Sequence, residues 1–303
     1  MITSSSNPQI RRVIQLNTKA RARRDEACFP AEGIRIFREI PAELRRQVYV
    51  SATFMQDPAH RRLLLDEGVA LPTEVGNTDD SGRKMQCTAE MVDDRIFRQM
   101  CDTQTPQGIL TIASIPTYSR EQLLTGSGKK IAKNIDEKHP EKRDSGLYEE
   151  NEAPLVLVLE DLQDPGNVGT IIRTAEGAGV TGVFMSGRTA DCFQPKVVRS
   201  TMGSIFRVPI RREASLPELM NWLKERGVRS FAAHLSGKNS YVKEDYRGGT
   251  AFLIGNEGNG LSDELTACAD VRIRIPMEGK VESLNAAVAA ALLMYEAHAQ
   301  RHD

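Results

Sequence analysis

IPMEGKVESLNAAVAAALLMYE, residues 275–296, is the stretch of the sequence that says most about the fold. It predicts the end of a strand, a short polar loop and then an alanine-rich helix. Ser283 and Asn285 lie in the loop just before the helix, where backbone N–H groups lack partners. The helix is too apolar to be exposed on all sides, so we expect it to pack against a large body. A polar loop on such a support is a candidate site of chemistry.

A regular alternation of strands and helices precedes this stretch. Residues 155–159 (LVLVL) are all apolar, as in strands that are buried on both faces of a parallel sheet. Further strands are predicted at residues 182–185, 205–208, 230–234, 251–255 and 271–275. Residues 216–226 are predicted to form one of the helices between them. The pattern indicates an open α/β sheet, in which ligands lie at the carboxyl ends of the strands.

Glycine-rich or polar loops follow three of these strands. DPGNVGTIIR, residues 164–173, places Asn167 where it can cap a helix and Arg173 further along that helix. GNEGNGL, residues 255–261, has one carboxylate among glycines that permit close approach of the backbone to a ligand. The third is the loop of residues 275–285. Each loop alone has an ordinary explanation as a cap or a turn, but three at one edge of one sheet indicate a binding site.

The nucleotide-binding motifs that such loops often carry are absent from the sequence. The second loop does not match the GxGxxG fingerprint, and no Walker lysine follows any loop. Binding of NAD or ATP is therefore not supported, which argues against a nucleotide-dependent metabolic enzyme.

Length and local composition predict two domains in this chain of 303 residues. Residues 1–116 are predicted to form a small α/β domain. Its expected helices are residues 7–22, 57–66 and 88–101, and its expected strands are residues 47–51 and 107–115. Residues 117–152 are charge-dense and broken by glycines, which favours a linker or insertion. Residues 153–303 form the second predicted domain.

Overall composition predicts a soluble protein without a membrane partner. Hydrophobic residues make up 40% of the chain and charged residues 27%, and no apolar run reaches the length of a membrane-spanning helix. The five cysteines are scattered and form no CxxC pair, and no secretory signal precedes them. We therefore expect reduced thiols in a cytoplasmic protein and no metal site.

Positive charge is concentrated near the start of the chain. No acidic residue precedes Asp25, whereas Arg11, Arg12, Lys19, Arg21, Arg23 and Arg24 all do. A solvated helix face, a mitochondrial presequence and a nucleic-acid contact all fit this run. Local sequence alone favours the solvated face. The presequence is disfavoured, because ordered-looking sequence continues without an obvious processing site.

Residues 164–180, 252–265 and 273–296 resemble the three motifs of the SpoU/TrmH family of RNA 2′-O-ribose methyltransferases. Order, spacing and nearly every motif position agree. The first half is similar to the L30e-like substrate-binding domain often attached to these enzymes, through ITSSSNPQI, the turn at residues 31–33 and TPQG at residues 105–108. The resemblance implies a SPOUT-type α/β fold with a deep trefoil knot around a mainly parallel sheet, next to a smaller L30e-like α/β domain.

The resemblance also implies a cofactor, partners and site residues. S-adenosylmethionine would be held by backbone around Gly255, Ile275 and Leu284. A homodimer would form through the C-terminal domain, with the active site near the subunit interface. The polar positions associated with catalysis are matched by Asn167, Arg173, Glu257, Ser283 and Asn285. In an RNA enzyme, the basic run becomes a candidate for phosphate contacts, with Arg21, Arg23 and Arg24 as the RNA-binding residues.

The resulting hypothesis is S-adenosylmethionine-dependent methylation of a ribose 2′-hydroxyl in structured RNA. The additional N-terminal domain favours 23S-type ribosomal RNA, and tRNA is the alternative substrate. A non-catalytic RNA-binding relative is a further alternative from a different class. It is disfavoured because a binding module has no need for Asn167, Arg173, Ser283 and Asn285 together.

Overall fold

The computed structural model describes residues 1–72, 87–126, 153–281 and 283–302. The chain forms two compact units. One consists of Met1–Pro116 together with Asp191–Phe206, and the other of Thr117–Ala190 together with Arg207–Asp303. Nothing in the sequence analysis anticipated that Asp191–Phe206 belongs to the first unit.

Strands and helices alternate along most of the described chain. The strands are β1 (Cys28–Glu32), β2 (Arg45–Ser51), β3 (Val69–Ala70), β4 (Cys87–Val92), β5 (Ile109–Ser114), β6 (Leu155–Leu159), β7 (Gly182–Ser186), β8 (Ile210–Glu213), β9 (Arg229–Ala233), β10 (Asn239–Ser240), β11 (Thr250–Ile254) and β12 (Val271–Arg274). The helices are α1 (Pro8–Thr18), α2 (Ala20–Glu26), α3 (Ile34–Glu39), α4 (Ala52–Gln56), α5 (Pro58–Asp66), α6 (Asp94–Met100), α7 (Arg120–Thr125), α8 (Pro165–Gly177), α9 (Pro195–Ser200), α10 (Leu216–Lys224), α11 (Asp263–Cys268) and α12 (Ala286–His302). Short 3₁₀ helices lie at Ala42–Leu44, Ser204–Phe206 and Tyr241–Lys243.

The first unit is built on a five-stranded mixed sheet in the order β1-β5-β2-β4-β3. β5 is antiparallel to both β1 and β2, whereas β2, β4 and β3 run parallel. The predicted first helix begins as expected, because the Asn7 side chain accepts a hydrogen bond from the Gln9 N–H. It ends at Thr18, and α2 follows. α1 buries Ile10, Val13 and Leu16. The L30e-like character of this unit stays a prediction.

The helix predicted over residues 88–101 is wrong in its first half. Those residues form β4, which pairs in parallel with β2, and only Asp94–Met100 is helical. The Asp93 side chain accepts hydrogen bonds from the Arg95 and Ile96 N–H groups and so sets the helix start. Sheet pairing with a distant strand overrides the local helical pattern here.

The second unit contains a seven-stranded sheet in the order β10-β12-β9-β11-β6-β7-β8. All of its neighbouring strands are parallel, so the predicted parallel α/β architecture is confirmed. Every residue of β6 is buried, as its continuous apolar run predicted, and so is every residue of β11. α7, α10 and α11 pack in one core with Val156, Val158 and Leu253. α12 contacts α8 and β11.

The strand predicted at residues 205–208 is also wrong. Ser204–Phe206 is a 3₁₀ helix, and the strand lies further on at Ile210–Glu213, paired with β7. The sequence IRRE of β8 is too charged to read as a buried strand. Glu213 is nevertheless buried, because Arg120 and Arg211 both form ion pairs with it.

A helix lies inside the segment interpreted as a linker or insertion, residues 117–152. Ser119 and Gln122 form a capping box at the start of α7, and α7 buries Leu123 and Leu124. These leucines belong to the core of the second unit, so this part of the segment is packed structure. Residues 127–152 lie outside the described residues. No helix of the described chain is long and apolar enough to cross a membrane.

Candidate functional site

The carboxyl ends of neighbouring parallel strands bring the three predicted loops to one edge of the second sheet. They follow β6, β11 and β12, and the loop after β9 joins them. A cleft of about 310 Å³ lies between the loops after β9, β11 and β12. Its lining includes the three residues predicted to hold a cofactor and two of the predicted catalytic residues, namely Gly255, Ile275, Leu284, Glu257 and Ser283.

Side-chain hydrogen bonds connect all three loops at this edge. The Nδ2 of Asn167, from the first loop, donates to the Oε1 of Glu257 in the second at 2.9 Å. The Nδ2 of Asn285, from the third loop, donates to the Oδ1 of Asn167 at 2.9 Å. The Oδ1 of Asn285 accepts from the N–H of Ala287 at 2.9 Å. We call Glu257, Asn167 and Asn285 the loop relay.

The direction of each hydrogen bond in the loop relay is fixed by its two ends. The ionised carboxylate of Glu257 can only accept, so Asn167 must present its amide nitrogen to it. The carbonyl oxygen of Asn167 then faces Asn285, which must donate. At the other end, the backbone N–H groups at the start of α12 can only donate, so Asn285 presents its oxygen to them. Aspartate at either asparagine position would break this order.

Glu257 also holds the first loop directly. Its carboxylate accepts from the backbone N–H groups of Gln163 at 3.0 Å and of Asp164 at 3.1 Å. Partial burial raises the pKa of the Glu257 carboxyl, but the hydrogen bonds from Asn167, Gln163 and Asp164 outweigh it and leave the pKa below its ordinary value. The group is therefore an anion at neutral pH and lies at the wall of the cleft.

The turn after β11 depends on glycine at position 255. A Cβ on Gly255 would lie 2.2 Å from the carbonyl carbon of Gly260 and from the nitrogen of Leu261. Asn256 closes the turn by exchanging two backbone hydrogen bonds with Gly260, each 2.9 Å long. No side chain larger than hydrogen fits such an approach, so glycine at position 255 has a packing cause.

Two residues that support the site were missed by the sequence analysis. The Nδ2 of Asn256 donates to the carbonyl oxygen of Asp161 at 2.8 Å and ties the second loop to the end of β6. Asp161 has a left-handed backbone with φ of 55°, and its Oδ1 accepts from the Ser186 hydroxyl. The sequence could have indicated Asn256 as a turn residue, because it lies two residues before a glycine and asparagine favours such turns. No local sequence feature indicates a role for Asp161.

The helix caps differ from those predicted. Asp164, and not Asn167, caps α8, because its side chain accepts from the Gly166 N–H at 2.8 Å. Asn167 lies inside the first turn, and this frees its side chain for the loop relay. At α12 the cap is Asn285, whose Oδ1 accepts from the N–H groups of Ala287 and Val288, and not Ser283, the other polar residue of that loop.

Arg173 is not brought into contact with the other predicted catalytic residues. It lies on α8, six residues beyond Asn167 and hence about 9 Å further along the helix axis. Its side chain is exposed and forms no hydrogen bond or ion pair with any described residue. The helix borders a groove of about 720 Å³ along α12. Asn167 and Asn285 line this groove, and Glu257, to which Asn167 donates, lines the cleft.

Among the three predicted RNA-binding residues, Arg23 is wrong. Its side chain is only 4% exposed and forms an ion pair with Asp191 at 2.8 Å. The same guanidinium donates to the carbonyl oxygens of Leu16 and Asn17, so it is not available to a phosphate. Arg21 and Arg24 are exposed, although Arg21 lies 3.3 Å from Asp25 in a solvent-exposed ion pair.

Known proteins share both the sequence pattern and the fold. The pattern that defines the SpoU rRNA Methylase family matches residues 154–295. A putative TrmH family tRNA/rRNA methyltransferase of Bacillus subtilis, YacO, is 34% identical over 209 residues, 68% of this chain and 83% of its own. The 23S rRNA (guanosine(2553)-2'-O)-methyltransferase RlmP of Bacillus subtilis is 32% identical over 78% of this chain and 79% of its own. An AdoMet-bound rRNA methyltransferase from Sinorhizobium meliloti superimposes with a TM-score of 0.73, 27% identity and coverage of 98% and 97%.

The fold and the site thus define an S-adenosylmethionine-dependent RNA methyltransferase. The chain belongs to the SpoU/TrmH family, for which the deep trefoil knot is implied by the resemblance. The cleft fits the methyl donor of that family. Its volume lies at the lower end of the range of about 300–1,000 Å³ typical of small-molecule sites. Apolar residues such as Ile275 and Leu284 suit an adenine ring, and the anion of Glu257 suits a cationic sulfonium.

No group of three or more His, Cys, Asp or Glu side chains that could hold a metal occurs among the described residues. The five cysteines, all within the described residues, form no disulfide bond. Burial raises the pKa of the Cys28, Cys87 and Cys101 thiols, which disfavours reactive thiolates there.

Proposed function

We propose that this protein methylates a ribose 2′-hydroxyl in structured RNA and that its substrate is 23S-type ribosomal RNA. The loop relay is the observation that carries the proposal. It joins three polar loops at the edge of a methyl-donor cleft through directional hydrogen bonds. RNA binding alone does not require this arrangement. The ribose and the 23S-type substrate are further supported by RlmP, whose name states both.

In the proposed reaction, S-adenosylmethionine supplies an electrophilic methyl group on a sulfonium. Backbone around Gly255, Ile275 and Leu284 holds the donor in the cleft. The protein must then align the ribose hydroxyl for in-line attack, in which the new O–C bond would form as the C–S bond breaks and the sulfur would leave as a neutral thioether, and it must help the hydroxyl proton to pass to solvent. Ser283 and Asn285 orient the ribose or the catalytic arginine. Glu257 supports the loops through its three hydrogen bonds.

Arg173 acts on the nucleophile as a cation. A guanidinium stays protonated in proteins, so a role as neutral general base is disfavoured. It binds a phosphate next to the target ribose and stabilises the alkoxide that develops on the 2′-oxygen. The exposed, unpaired side chain on α8 suits this role, because no protein carboxylate of the described chain competes for it.

We further propose a homodimer that forms through α12. Val288, Leu292 and Tyr295 are 49%, 37% and 49% exposed and recur at the spacing of one helix face. They line the groove that also contains Asn167 and Asn285. A second copy packed on this apolar face closes the groove and brings the subunit interface next to the loop relay. An isologous contact of this kind is the commonest arrangement in homo-oligomers.

RNA is also bound by the first unit in this proposal. Exposed Arg21 and Arg24 contact phosphates, since a protein with a net charge of −1 must concentrate its phosphate contacts locally. Arg23 stays in its ion pair with Asp191 and supports the fold.

The test is transfer of a labelled methyl group to total RNA from a strain that lacks the gene. Label in 23S-type ribosomal RNA, at one nucleotide that is unmodified in that strain, is the expected result. Label in tRNA would support the alternative substrate. Absence of label from every RNA, with the protein folded and the donor bound, would favour a non-catalytic RNA-binding relative.

A further inference from the structure

The loop after β9 forms one wall of the cleft, and hydrogen bonds hold its backbone in place. His234 donates its N–H to the carbonyl oxygen of Ile273 at 3.0 Å, and Gly237 donates to the carbonyl oxygen of His234 at 2.9 Å. A Cβ on Gly237 would lie 2.5 Å from the carbonyl carbon of Ile273. The turn is therefore pressed against β12, and the position of His234 at the cleft is fixed.

The hydrogen bonds of the His234 ring select one tautomer. Its Nδ1 lies 3.1 Å from the backbone nitrogen of Ser236 and 2.7 Å from the Ser236 hydroxyl. A backbone N–H can only donate, so Nδ1 is an acceptor and the neutral ring carries its proton on Nε2. No described residue accepts a hydrogen bond from Nε2. His234, a lining residue of the cleft, thus carries an Nε2–H donor that no described residue uses.

The position of His234 in the sheet indicates which part of a ligand it meets. β9 lies between β12 and β11, and β6 follows β11. Two strand spacings, about 10 Å, therefore separate the end of β9 from the loop after β6, where the loop relay begins. The sulfonium of the methyl donor must lie near the relay, because the reacting hydroxyl is aligned there. The adenosine part then extends toward β9, where Leu235 and Ile275 provide apolar surface.

We propose that His234 donates a hydrogen bond from Nε2 to an acceptor atom of the adenosine part of the methyl donor. This inference rests on the proposed function only for the assignment of the cleft as the methyl-donor site. His234 is then a binding residue, held in the productive tautomer by Ser236. A neutral donor suits this place better than a cation, since the bound sulfonium is itself positively charged.

The experiment measures dissociation constants of S-adenosylhomocysteine and of 5′-methylthioadenosine, which lacks the amino-acid part, by calorimetry on the full chain. His234→Ala is expected to weaken both ligands about tenfold, the effect of one hydrogen bond. His234→Gln, which retains a side-chain N–H donor, is expected to recover part of the loss. Lys238→Ala, an exposed change on the same loop outside the cleft lining, is the matched control and is expected to bind like the wild type.

The outcomes separate this inference from the proposed function. Wild-type affinity of a folded His234→Ala variant overturns the inference and leaves the function standing. A loss for S-adenosylhomocysteine without a loss for 5′-methylthioadenosine overturns the adenosine assignment. If His234→Ala does not fold, the inference is carried by His234→Gln, whose affinity must then exceed that of a folded His234→Leu variant. A wild-type protein that binds neither ligand contradicts the assignment of the cleft itself.

Discussion

Asn285 donates a hydrogen bond to Asn167 across a separation of 118 residues in the chain, with 2.9 Å between Nδ2 and Oδ1. The same Asn285 accepts from the first N–H groups of α12 through its other amide atom. Asn285 therefore links the start of α12 to the first turn of α8, through a hydrogen bond between its side chain and that of Asn167. Both asparagines line the groove along α12, and Glu257, to which Asn167 donates, lines the cleft that we propose for the methyl donor.

The direction of the loop relay predicts a large effect of Asn167→Asp. The new carboxylate would face that of Glu257 at the present 2.9 Å, and like charges at this distance repel strongly. We expect the loops to separate and methyl transfer to fall by roughly 100-fold, the effect of a misplacement of about 1 Å. Initial rates at saturating donor and RNA measure this. Asn221→Asp, which adds the same charge to an exposed site on α10, is the control. Equal rates in the two variants would refute the role of the relay.

The depressed pKa of Glu257 predicts a pH-dependent contribution to stability. A carboxyl whose folded-state pKa lies below its ordinary value of 4.5 stabilises the protein above that value, and this stabilisation is lost as the pH falls through the folded-state pKa. Glu257→Gln should lower the melting temperature at pH 7. The difference from wild type should stay constant down to about pH 5 and shrink at lower pH.

Thermal unfolding of both proteins between pH 7 and pH 3 measures this difference. Glu264→Gln is a suitable comparison, because Glu264 is exposed at the start of α11 and its side chain forms no ion pair with the described residues. If the melting temperatures of wild type and Glu257→Gln differ by the same amount at every pH, the ionised carboxylate does not hold the loops.

The sequence predicted those parts of the fold whose cause is local. A continuous apolar run identified β6, because strands buried on both faces need no polar alternation. β8 was misplaced because its buried Glu213 is neutralised by Arg120 on α7, a partner 93 residues away that no local pattern reveals. Residues 88–92 were misassigned for a related reason, since their strand exists only through pairing with β2 and β3.

The site was predictable in composition but not in connectivity. The three loops and their polar residues were identified from the sequence, yet Asn167 was assigned to the cap that Asp164 provides. Both residue types cap helices equally well. Only the contact of Asn167 with Glu257, 90 residues further along the chain, decides between them. Likewise, the burial of Arg23 depends on Asp191, from the segment that joins the first unit late in the sequence.

Arg21 and Arg24 are expected to contribute to RNA affinity through charge. Replacement of both by alanine should weaken RNA binding and reduce the slope of log K against log salt by about 1.5, since each phosphate contact contributes about 0.7–0.9. Methyl-donor affinity should not change. Arg62→Ala removes an arginine with a similar exposed ion pair, to Asp66, and is the control. Filter binding at several salt concentrations measures the slope, and an unchanged slope in the double variant would contradict the assignment.

The exposed face of α12 predicts that Leu292→Glu disrupts the homodimer. Leu292 is 37% exposed, and a carboxylate there would be desolvated against a second copy. Light scattering with size-exclusion chromatography should show a dimer for the wild type and a monomer for the variant. Met202→Glu, at an apolar site of the first unit with 44% exposure, should remain dimeric. A monomeric wild type at micromolar concentration, or a dimeric Leu292→Glu, would rule out this interface.

The chemical position of the transferred methyl group tests the central claim most directly. A methyl on the ribose 2′-oxygen blocks alkaline cleavage of the adjacent phosphodiester, so labelled RNA hydrolysed in alkali should yield its label in alkali-stable dinucleotides. Arg173→Ala should lose most of this label while it keeps its fold and its affinity for S-adenosylhomocysteine. Label released in mononucleotides would place the methyl group on a base and contradict the account, as would near-wild-type labelling by Arg173→Ala.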